Sequence, residues 1–282
     1  MQQPRFLDRT TPPKIVTLIL LAGLSALAMN IFLPSLPGMA VYFGVPYGVM
    51  QQSVALYLAL SAALQIVIGP ISDRYGRRKV LLGSLVLFLL ATVGTILAPN
   101  ATVFLVFRMA QAVIASGMVL SRAVVRDMVA DERAASMIGY VTMGMSLVPM
   151  IGPVIGGVLD DLYGWRASFT LLLVVGLGVL ALVWADLGET ATLRKVSLAD
   201  QIRTYPGLLT SRRFWGYTLA AAFASGCFFA YLGGAPYVGD KIFGLTSTQV
   251  GALFALTAIG YALGNFFAGR YSVRIGMNRM IL

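Results

Sequence analysis

Eight long apolar runs, separated by short charged segments, follow one another along the 282-residue chain. Each run approaches the roughly 20 apolar residues that an α-helix needs to cross a bilayer. Helices are predicted for all of them, because a helix satisfies its own backbone hydrogen bonds in lipid. The pattern therefore predicts an all-α membrane protein. The predicted spans are Ile15–Leu33, Ser53–Ile71, Val80–Ala98, Val103–Val125, Met137–Leu159, Trp165–Leu187, Phe214–Pro236 and Thr248–Gly269.

Positive charges concentrate in alternate connections between the predicted spans. The N-terminal tail, the second, fourth and sixth loops and the end of the chain carry almost all of the lysine and arginine. The intervening loops carry only Arg166 and Lys241, each close to aspartates. Because lysine and arginine are enriched in cytoplasmic loops, both termini are predicted to lie in the cytoplasm.

The composition agrees with a membrane protein and argues against other classes. Hydrophobic residues make up 58% of the chain and charged residues 11%, and the mean hydropathy is +0.83, well outside the range expected of soluble domains. With no histidine and a single cysteine, Cys227, we expect no disulfide, metal site or cofactor. No set of nucleophile, base and orienting residue is visible, so an enzyme is not expected. The net charge of +10 does not indicate a nucleic-acid partner, since the cations occupy alternate loops.

A single long polar stretch divides the apolar runs into two groups. Residues 188–213 hold charges of both signs and Pro206, which is typical of a cytoplasmic linker. We therefore expect an N-terminal six-helix bundle over residues 1–187 and the start of a second bundle over residues 214–282. The first span is expected to remain as a helix, because it is too long for a cleaved signal and lacks a small-residue cleavage site.

The segment Gly69–Gly83, GPISDRYGRRKVLLG, has a weaker copy 200 positions later at Gly269–Leu282. The identical pairs are Gly69/Gly269, Ser72/Ser272, Arg74/Arg274, Gly76/Gly276 and Leu82/Leu282. A chance match of apolar helices does not explain loop identities in one register, so a parallel repeat of six helices is expected. Doubling the period gives roughly 400 residues and twelve spans, and the chain is expected to be a fragment that ends after the eighth.

The residue types of this loop indicate a tight cytoplasmic connection between helices. Glycines allow close helix approach and a sharp turn, an aspartate can pair with cations or a helix N-terminus, and arginines can anchor in anionic headgroups. The alternative, a cluster that only sets topology, accounts for the arginines but not for the glycines or the aspartate. The candidate gate residues are Gly69, Asp73, Arg74, Gly76, Arg77 and Arg78.

The gate loop resembles the signature between helices 2 and 3 of the major facilitator superfamily. The resemblance implies a fold of two six-helix halves, of which this chain contains the first half and two helices of the second. It also implies that the loop connects the two halves on the cytoplasmic side, with Asp73 as the acidic partner.

The fourth span carries Arg108 and Gln111, then Arg122 and, near its end, Asp127. Helical spacing places Arg108, Gln111 and Arg122 on one face, which we expect to line water or another helix because an arginine in lipid is costly. The alternative is that Arg108, about 8 Å from the outer end at 1.5 Å per residue, extends to the interface. The run resembles the fourth-helix motif of the superfamily, with Ala112 in place of a glycine, and its continuation GMVLSRAVVRDM is similar to the Bcr/CflA type of drug-resistance transporter.

The fifth span contains Gly152, Pro153, Gly156 and Gly157 within GMSLVPMIGPVIGG. Small residues four apart let another helix approach, and prolines kink a helix. Packing alone is one interpretation of this spacing. The run resembles the motif associated with antiporters in the superfamily, which implies a functional hinge.

Asn30 ends the first span in a run that resembles the first-helix motif of Bcr/CflA-type pumps, where an aspartate is usual. No Asp or Glu lies in the core of any predicted span, and an amide cannot titrate. A proton carrier would therefore be a carboxylate at a helix end, a residue outside this chain, or absent. Asn30 and Asn265 are further candidates for contact with substrate, as buried amides need partners.

The resemblance implies a polyspecific exporter of drug-like small molecules in exchange for protons, in the bacterial inner membrane, with the lipid bilayer around it and a monomeric full-length protein. Two alternatives remain at this point. The protein could be a proton-independent facilitator or an exporter of one metabolite, as Asn30 suggests, or a truncated membrane protein that does not transport. The residues expected to contact substrate or couple protons are Asn30, Arg108, Gln111, Arg122, Asp127 and Asn265.

Overall fold

A computed structural model describes residues 5–129, 131–191, 205–257, 259–260 and 263. These residues form α-helices and short 3-10 segments, and contain no β-strand. The α-helices are α1 Ile15–Asn30, α2 Leu36–Phe43, α3 Tyr47–Tyr75, α4 Arg77–Ile96, α5 Ala101–Ala110, α6 Ala115–Met128, α7 Asp131–Tyr163, α8 Arg166–Asp186, α9 Tyr205–Leu209, α10 Arg212–Lys241 and α11 from residue 247 to at least 257.

Six helical segments in the described part of the chain are long and apolar enough to cross a membrane. They correspond to predicted spans one to four, six and seven. The fifth predicted span lies inside α7, and the eighth begins in α11 and continues outside the described residues. The fold-class prediction of an all-α protein with a full first half and two helices of the second is confirmed.

Most helices extend beyond the apolar cores from which they were predicted. Helix α3 begins at Tyr47 and ends at Tyr75, so that only Gly76 separates it from α4. Gly76 has a φ of +98°, a conformation that a side chain would oppose. The expectation of a sharp turn at Gly76 is therefore correct, whereas a Cβ added at Gly69 would meet nothing within 4 Å, so no described helix approaches there.

Two spans are interrupted by 3-10 segments rather than being continuous α-helices. The segment Leu33–Ser35, which contains Pro34, separates α1 from α2, and the segment Gln111–Ile114 separates α5 from α6. The tighter winding of a 3-10 segment rotates the helix that follows it. The phase of the following helix therefore differs from that of an uninterrupted α-helix.

Helix α1 is central to the first half and packs against α6, α7 and α8. Five aromatic side chains form a cluster at one end of this bundle, with neighbouring ring centroids 5.4 to 5.9 Å apart. They are Phe32, Phe43, Phe104, Trp165 and Phe169. Outward-facing leucines and valines such as Leu90 and Val174 are more than half exposed, as expected of side chains that contact lipid.

Candidate functional site

Arg108 is completely buried inside the first half. Its guanidinium lies 3.9 Å from the ring centroid of Tyr57 and 4.4 Å from that of Phe32. Its Nη1 donates to Oε1 of Gln111 at 2.9 Å, and its Nε donates to the backbone carbonyl of Ser53 at 3.3 Å. Two aromatic faces and two acceptors therefore stabilise the charge, because a desolvated cation is attracted to the negative face of a ring.

This position excludes the interpretation that Arg108 extends to the membrane surface. Gln111 is held in turn by Thr92, whose Oγ1 accepts from Nε2 at 2.8 Å. Within the described residues no carboxylate pairs with Arg108, and its Nη2 has no partner. A buried cation with an unpaired donor is energetically costly. Arg108 and Gln111 therefore remain candidate functional residues.

Asn30 is also buried, and its environment differs from the expectation of an amide that lines a cavity. Its Nδ2 donates to the backbone carbonyl of Ala26 at 2.8 Å within α1, and its Oδ1 lacks a partner among the described residues. It is absent from the wall of the cavity between the two halves. Asn265 lies outside the described residues.

A cavity of about 490 Å³ lies between the first half and the helices α10 and α11. Its size falls within the range of small-molecule sites. The described wall is largely apolar, with thioether groups from the first half and aromatic rings from α10 and α11, and it includes one arginine. Prominent wall residues are Met29, Arg122, Met145, Phe228, Phe229 and Phe254.

Arg122 and Arg108 do not share an environment, although ideal helical spacing put them on one face. Arg108 is buried in α5, whereas Arg122 in α6 is exposed and lines the cavity. The 3-10 segment Gln111–Ile114 lies between them. The two arginines therefore have separate environments, because Arg108 contacts neighbouring helices and Arg122 lines the cavity.

The gate loop forms a network at what we term the Asp73 end of the bundle, defined by Asp73, Asp127 and Glu189. Arg77 is its centre, with Nη2 2.6 Å from Asp73 and Nε 3.1 Å from Asp127. Its Nη1 also donates to Ser72. Asp127 therefore belongs to this network and is absent from the described wall of the cavity, and its part in proton coupling stays a prediction.

Glu189 is a member of the network that the sequence did not indicate. Its carboxylate accepts from the backbone amides of Arg77 at 2.8 Å and Arg78 at 3.3 Å. These amides belong to the first turn of α4, where unpaired N–H groups favour a negative charge. Arg78 donates to the backbone carbonyls of Leu187 and Trp184 at the end of α8. All these partners lie in the first half or at its exit.

We expect Glu189→Ala to loosen the first turn of α4. Loss of a helix cap costs about 1 kcal/mol, so amide exchange in that turn should accelerate about fivefold, as measured by hydrogen exchange with mass spectrometry. Asp240→Asn is the control, because Asp240 pairs with Lys241 at the far end of α10 and should leave α4 unchanged. Equal exchange in α4 for Glu189→Ala and the wild type would contradict the cap.

Asp186 plays a similar part for the N-terminal segment. It is completely buried at the end of α8 and accepts from the amides of Leu7 at 2.7 Å and Lys14 at 2.9 Å, and from the hydroxyl of Thr17 at 2.6 Å. Its negative charge lies at the start of α1, where the helix dipole favours it. The apolar sequence around Asp186 gave no signal of this role, because its partners lie 169 to 179 positions away along the chain.

The opposite end of the bundle, which we term the Asp160 end, joins the two halves. Asp161 accepts from the backbone amides of Ser247 at 3.2 Å and Thr248 at 2.9 Å, and Asp160 accepts from the Ser247 hydroxyl at 2.5 Å. Asp161 at the end of α7 therefore caps the N-terminus of α11, and Asp160 adds a hydrogen bond from the Ser247 side chain. Tyr47 adds a second contact by donating to the carbonyl of Gly233 in α10 at 2.6 Å.

The glycines of the fifth-span motif allow α7 to contact both halves. A Cβ on Gly156 would lie 2.8 Å from the carbonyl carbon of Ile31 and still closer to its oxygen. A Cβ on Gly157 would lie 2.7 Å from the carbonyl carbon of Ser247 and 2.9 Å from Cα of Thr248. Gly152 is less crowded, 3.3 Å from a Leu27 methyl.

The proline and the remaining motif positions complete this contact. Pro153 is inside α7, and a Cβ on Gly251 of α11 would lie 2.9 Å from its carbonyl carbon. Backbones therefore approach each other directly, which small residues permit.

Arg74 of the gate loop stacks on its neighbour Tyr75, with 5.5 Å from the guanidinium to the ring centroid. It forms no ion pair with a described residue. The weak copy of the gate loop at 269–282 lies outside the described residues.

Comparison with known proteins agrees with this architecture. A family profile described as the Major Facilitator Superfamily matches residues 18–282. The chain is 33% identical over 258 residues to the uncharacterized MFS-type transporter YdgK of Bacillus subtilis (strain 168), which covers 89% of this chain and 64% of the relative. It is 34% identical over 252 residues to a chloramphenicol resistance protein of Pseudomonas aeruginosa, covering 88% of this chain and 59% of the relative.

A third relative is multidrug resistance protein D of Escherichia coli (strain K12), 29% identical over 261 residues, covering 92% of this chain and 66% of the relative. The chain therefore spans between 59% and 66% of the length of these three proteins. The names of the relatives confirm the resemblance to Bcr/CflA-type drug-resistance transporters.

Solved structures share the fold at low sequence identity. A bacterial homolog of the human lysosomal transporter Spinster, in an inward-facing and occupied conformation, has a TM-score of 0.78 at 20% identity, covering 94% of this chain and 62% of that one. The human organic anion transporter MFSD10 (TETRAN) has a TM-score of 0.67 at 19% identity, covering 93% of this chain and 72% of that one. With the family profile matching residues 18–282, the chain belongs to the major facilitator superfamily.

Proposed function

We propose that the protein is a secondary transporter of the bacterial inner membrane that exports drug-like small molecules. The observation that carries the proposal is the cavity of about 490 Å³ between the two halves, lined by Phe228, Phe229 and Phe254. Substrate sites of secondary transporters lie at such repeat interfaces. The relatives named for chloramphenicol and multidrug resistance support drug-like molecules as the substrate class.

The ends of the bundle suggest how access alternates. At the Asp160 end, α7 contacts α1 and α11 through Gly156 and Gly157. The described partners of the gate loop at the Asp73 end all lie in the first half or its exit. We place the Asp73 end in the cytoplasm because its loop is strongly positive. In this arrangement the Asp160 end, where the two halves are in contact, is the outer side.

Proton exchange is the proposed driving force, with Arg108 and Gln111 as the residues that couple protonation to substrate binding. Arg108 is buried against the ring of Tyr57, and Gln111 donates to Thr92, so a shift of either side chain would be transmitted to the helices that they contact.

We also propose that residues 1–187 and residues 214–282 rock against each other. They are joined by the linker 188–213, and the full-length protein acts as a monomer.

One observation favours a second candidate, export without proton coupling. The family's usual aspartate is replaced by Asn30, and the described wall of the cavity contains no carboxylate. Such an exporter would move its substrate down a concentration gradient, and an amide at position 30 would have no proton to exchange.

Transport into everted inner-membrane vesicles tests both candidates. Vesicles that contain the protein should accumulate radiolabelled chloramphenicol faster than vesicles with an empty vector. Collapse of the proton gradient by a protonophore should abolish accumulation above equilibrium if the protein is an antiporter. Equilibration that survives the protonophore would favour the second candidate, and equal uptake by both vesicle types would contradict export of this drug.

A further inference from the structure

The cavity between the halves contains a single formal charge among its described wall residues. Arg122 is exposed and lines this cavity together with Met118 of the same helix, α6. No described residue forms an ion pair or hydrogen bond with its guanidinium. The described wall holds no Asp or Glu, so none of its residues neutralises the positive charge of Arg122.

The remaining wall suits the body of a flat, apolar molecule. Phe228 and Phe229 of α10 and Phe254 of α11 contribute aromatic surface, and Met29 and Met145 contribute adaptable thioether groups. A guanidinium offers several N–H donors in a fixed plane that matches a carboxylate or sulfonate. Close to the guanidinium, the same charge repels a cation.

We propose that Arg122 makes this cavity selective for amphipathic organic anions, with a flat apolar body against the phenylalanines and an anionic oxygen group at the guanidinium. The inference rests on the proposed function, because it assumes that the cavity is the substrate site. Neutral molecules of the same shape bind more weakly, and permanent cations bind least.

The test uses three probes of one shape: naphthalene-2-sulfonate, naphthalene-2-sulfonamide and 2-naphthyl-trimethylammonium. Binding to the purified protein in nanodiscs of phosphatidylcholine is measured by isothermal titration calorimetry. A bilayer without net charge ensures that anionic lipid does not compete for Arg122. We expect the anion to bind at least about tenfold more tightly than the cation, since the guanidinium attracts the first and repels the second.

Variants separate Arg122 from the rest of the site. Arg122→Gln should remove the preference for the anion, and Phe229→Ala should weaken all three probes together. Arg126→Gln is the matched control, because Arg126 is exposed one turn further along α6 but does not line the cavity. It should retain the preference. Circular dichroism and size-exclusion chromatography of each variant verify that it is folded.

The possible results test charge selectivity, the role of Arg122 and the cavity as the substrate site separately. Equal binding of the three probes, or preference for the cation, overturns charge selectivity while the cavity remains a binding site. A preference for the anion that persists in Arg122→Gln overturns the role of Arg122. Absence of saturable binding by all three probes overturns the cavity as the substrate site, and the charge selectivity with it.

Discussion

Replacement of Gly156 by valine is expected to prevent α7 from packing against α1. A Cβ at this position would lie 2.8 Å from the carbonyl carbon of Ile31 and closer still to its oxygen. The obstacle is backbone, which cannot move aside as a flexible side chain can. Because overpacking of a well-packed core costs about 1 to 3 kcal/mol, and here the backbone itself is displaced, the loss should lie at the upper end of this range. Thermal unfolding of detergent-purified protein, followed by size-exclusion chromatography, measures it.

Two further glycines in the same chain provide controls for this experiment. Gly178→Val in α8 should have little effect, as a Cβ there would meet nothing within 4 Å. Gly157→Val should leave the first half folded but separate α7 from α11, because the crowded atoms belong to Ser247 and Thr248. Cysteine cross-linking between α7 and α11 would detect that separation. Wild-type stability of Gly156→Val would contradict the close approach of α7 to α1.

Replacement of Arg108 by alanine is expected to abolish transport and to destabilise the first half. The variant loses two cation–π contacts, with Tyr57 and Phe32, and leaves Gln111 without its partner. The contacts with the two rings mainly offset the cost of burying the charge. The net loss therefore comes from the cavity that truncation leaves, about 2 to 5 kcal/mol for a large buried side chain. A loss of several kcal/mol should therefore appear as a lower melting temperature, alongside the loss of transport in vesicles.

A second substitution distinguishes support of the fold from a role in transport. Arg108→Met fills much of the same volume without the charge, and replacement of buried charges by apolar groups is often neutral for stability. We expect Arg108→Met to unfold near the wild-type temperature and yet to reduce the rate of transport at least tenfold, equivalent to about 1.4 kcal/mol. Arg126→Ala, which alters an exposed arginine, is the control. Normal transport by folded Arg108→Met would show that the charge is used only for packing.

The helices themselves were largely predictable because lipid imposes a strong constraint. Runs of apolar residues must form helices, and the positions of arginine and lysine indicate which loops share a side. The predicted ends were less accurate. Helix α3 begins six residues before Ser53, since amphipathic residues at a membrane surface continue a helix that hydropathy alone would end.

Side-chain environments were less predictable. Arg108 and Arg122 belong to one predicted span, which the 3-10 segment Gln111–Ile114 divides into α5 and α6. One arginine is buried against Tyr57, and the other is exposed in the cavity. The environment of each is decided by the packing of neighbouring helices, which a helical wheel does not contain.

The sequence by itself determined that this is an all-helical membrane protein, and its motifs indicated the superfamily. Only the tertiary structure decided which groups meet. Glu189 caps α4 from 112 residues away, and Asp161 caps α11 from 86 and 87 residues away. Such partners are selected by how helices pack, whereas periodicity along one helix specifies a face and not the neighbour that covers it.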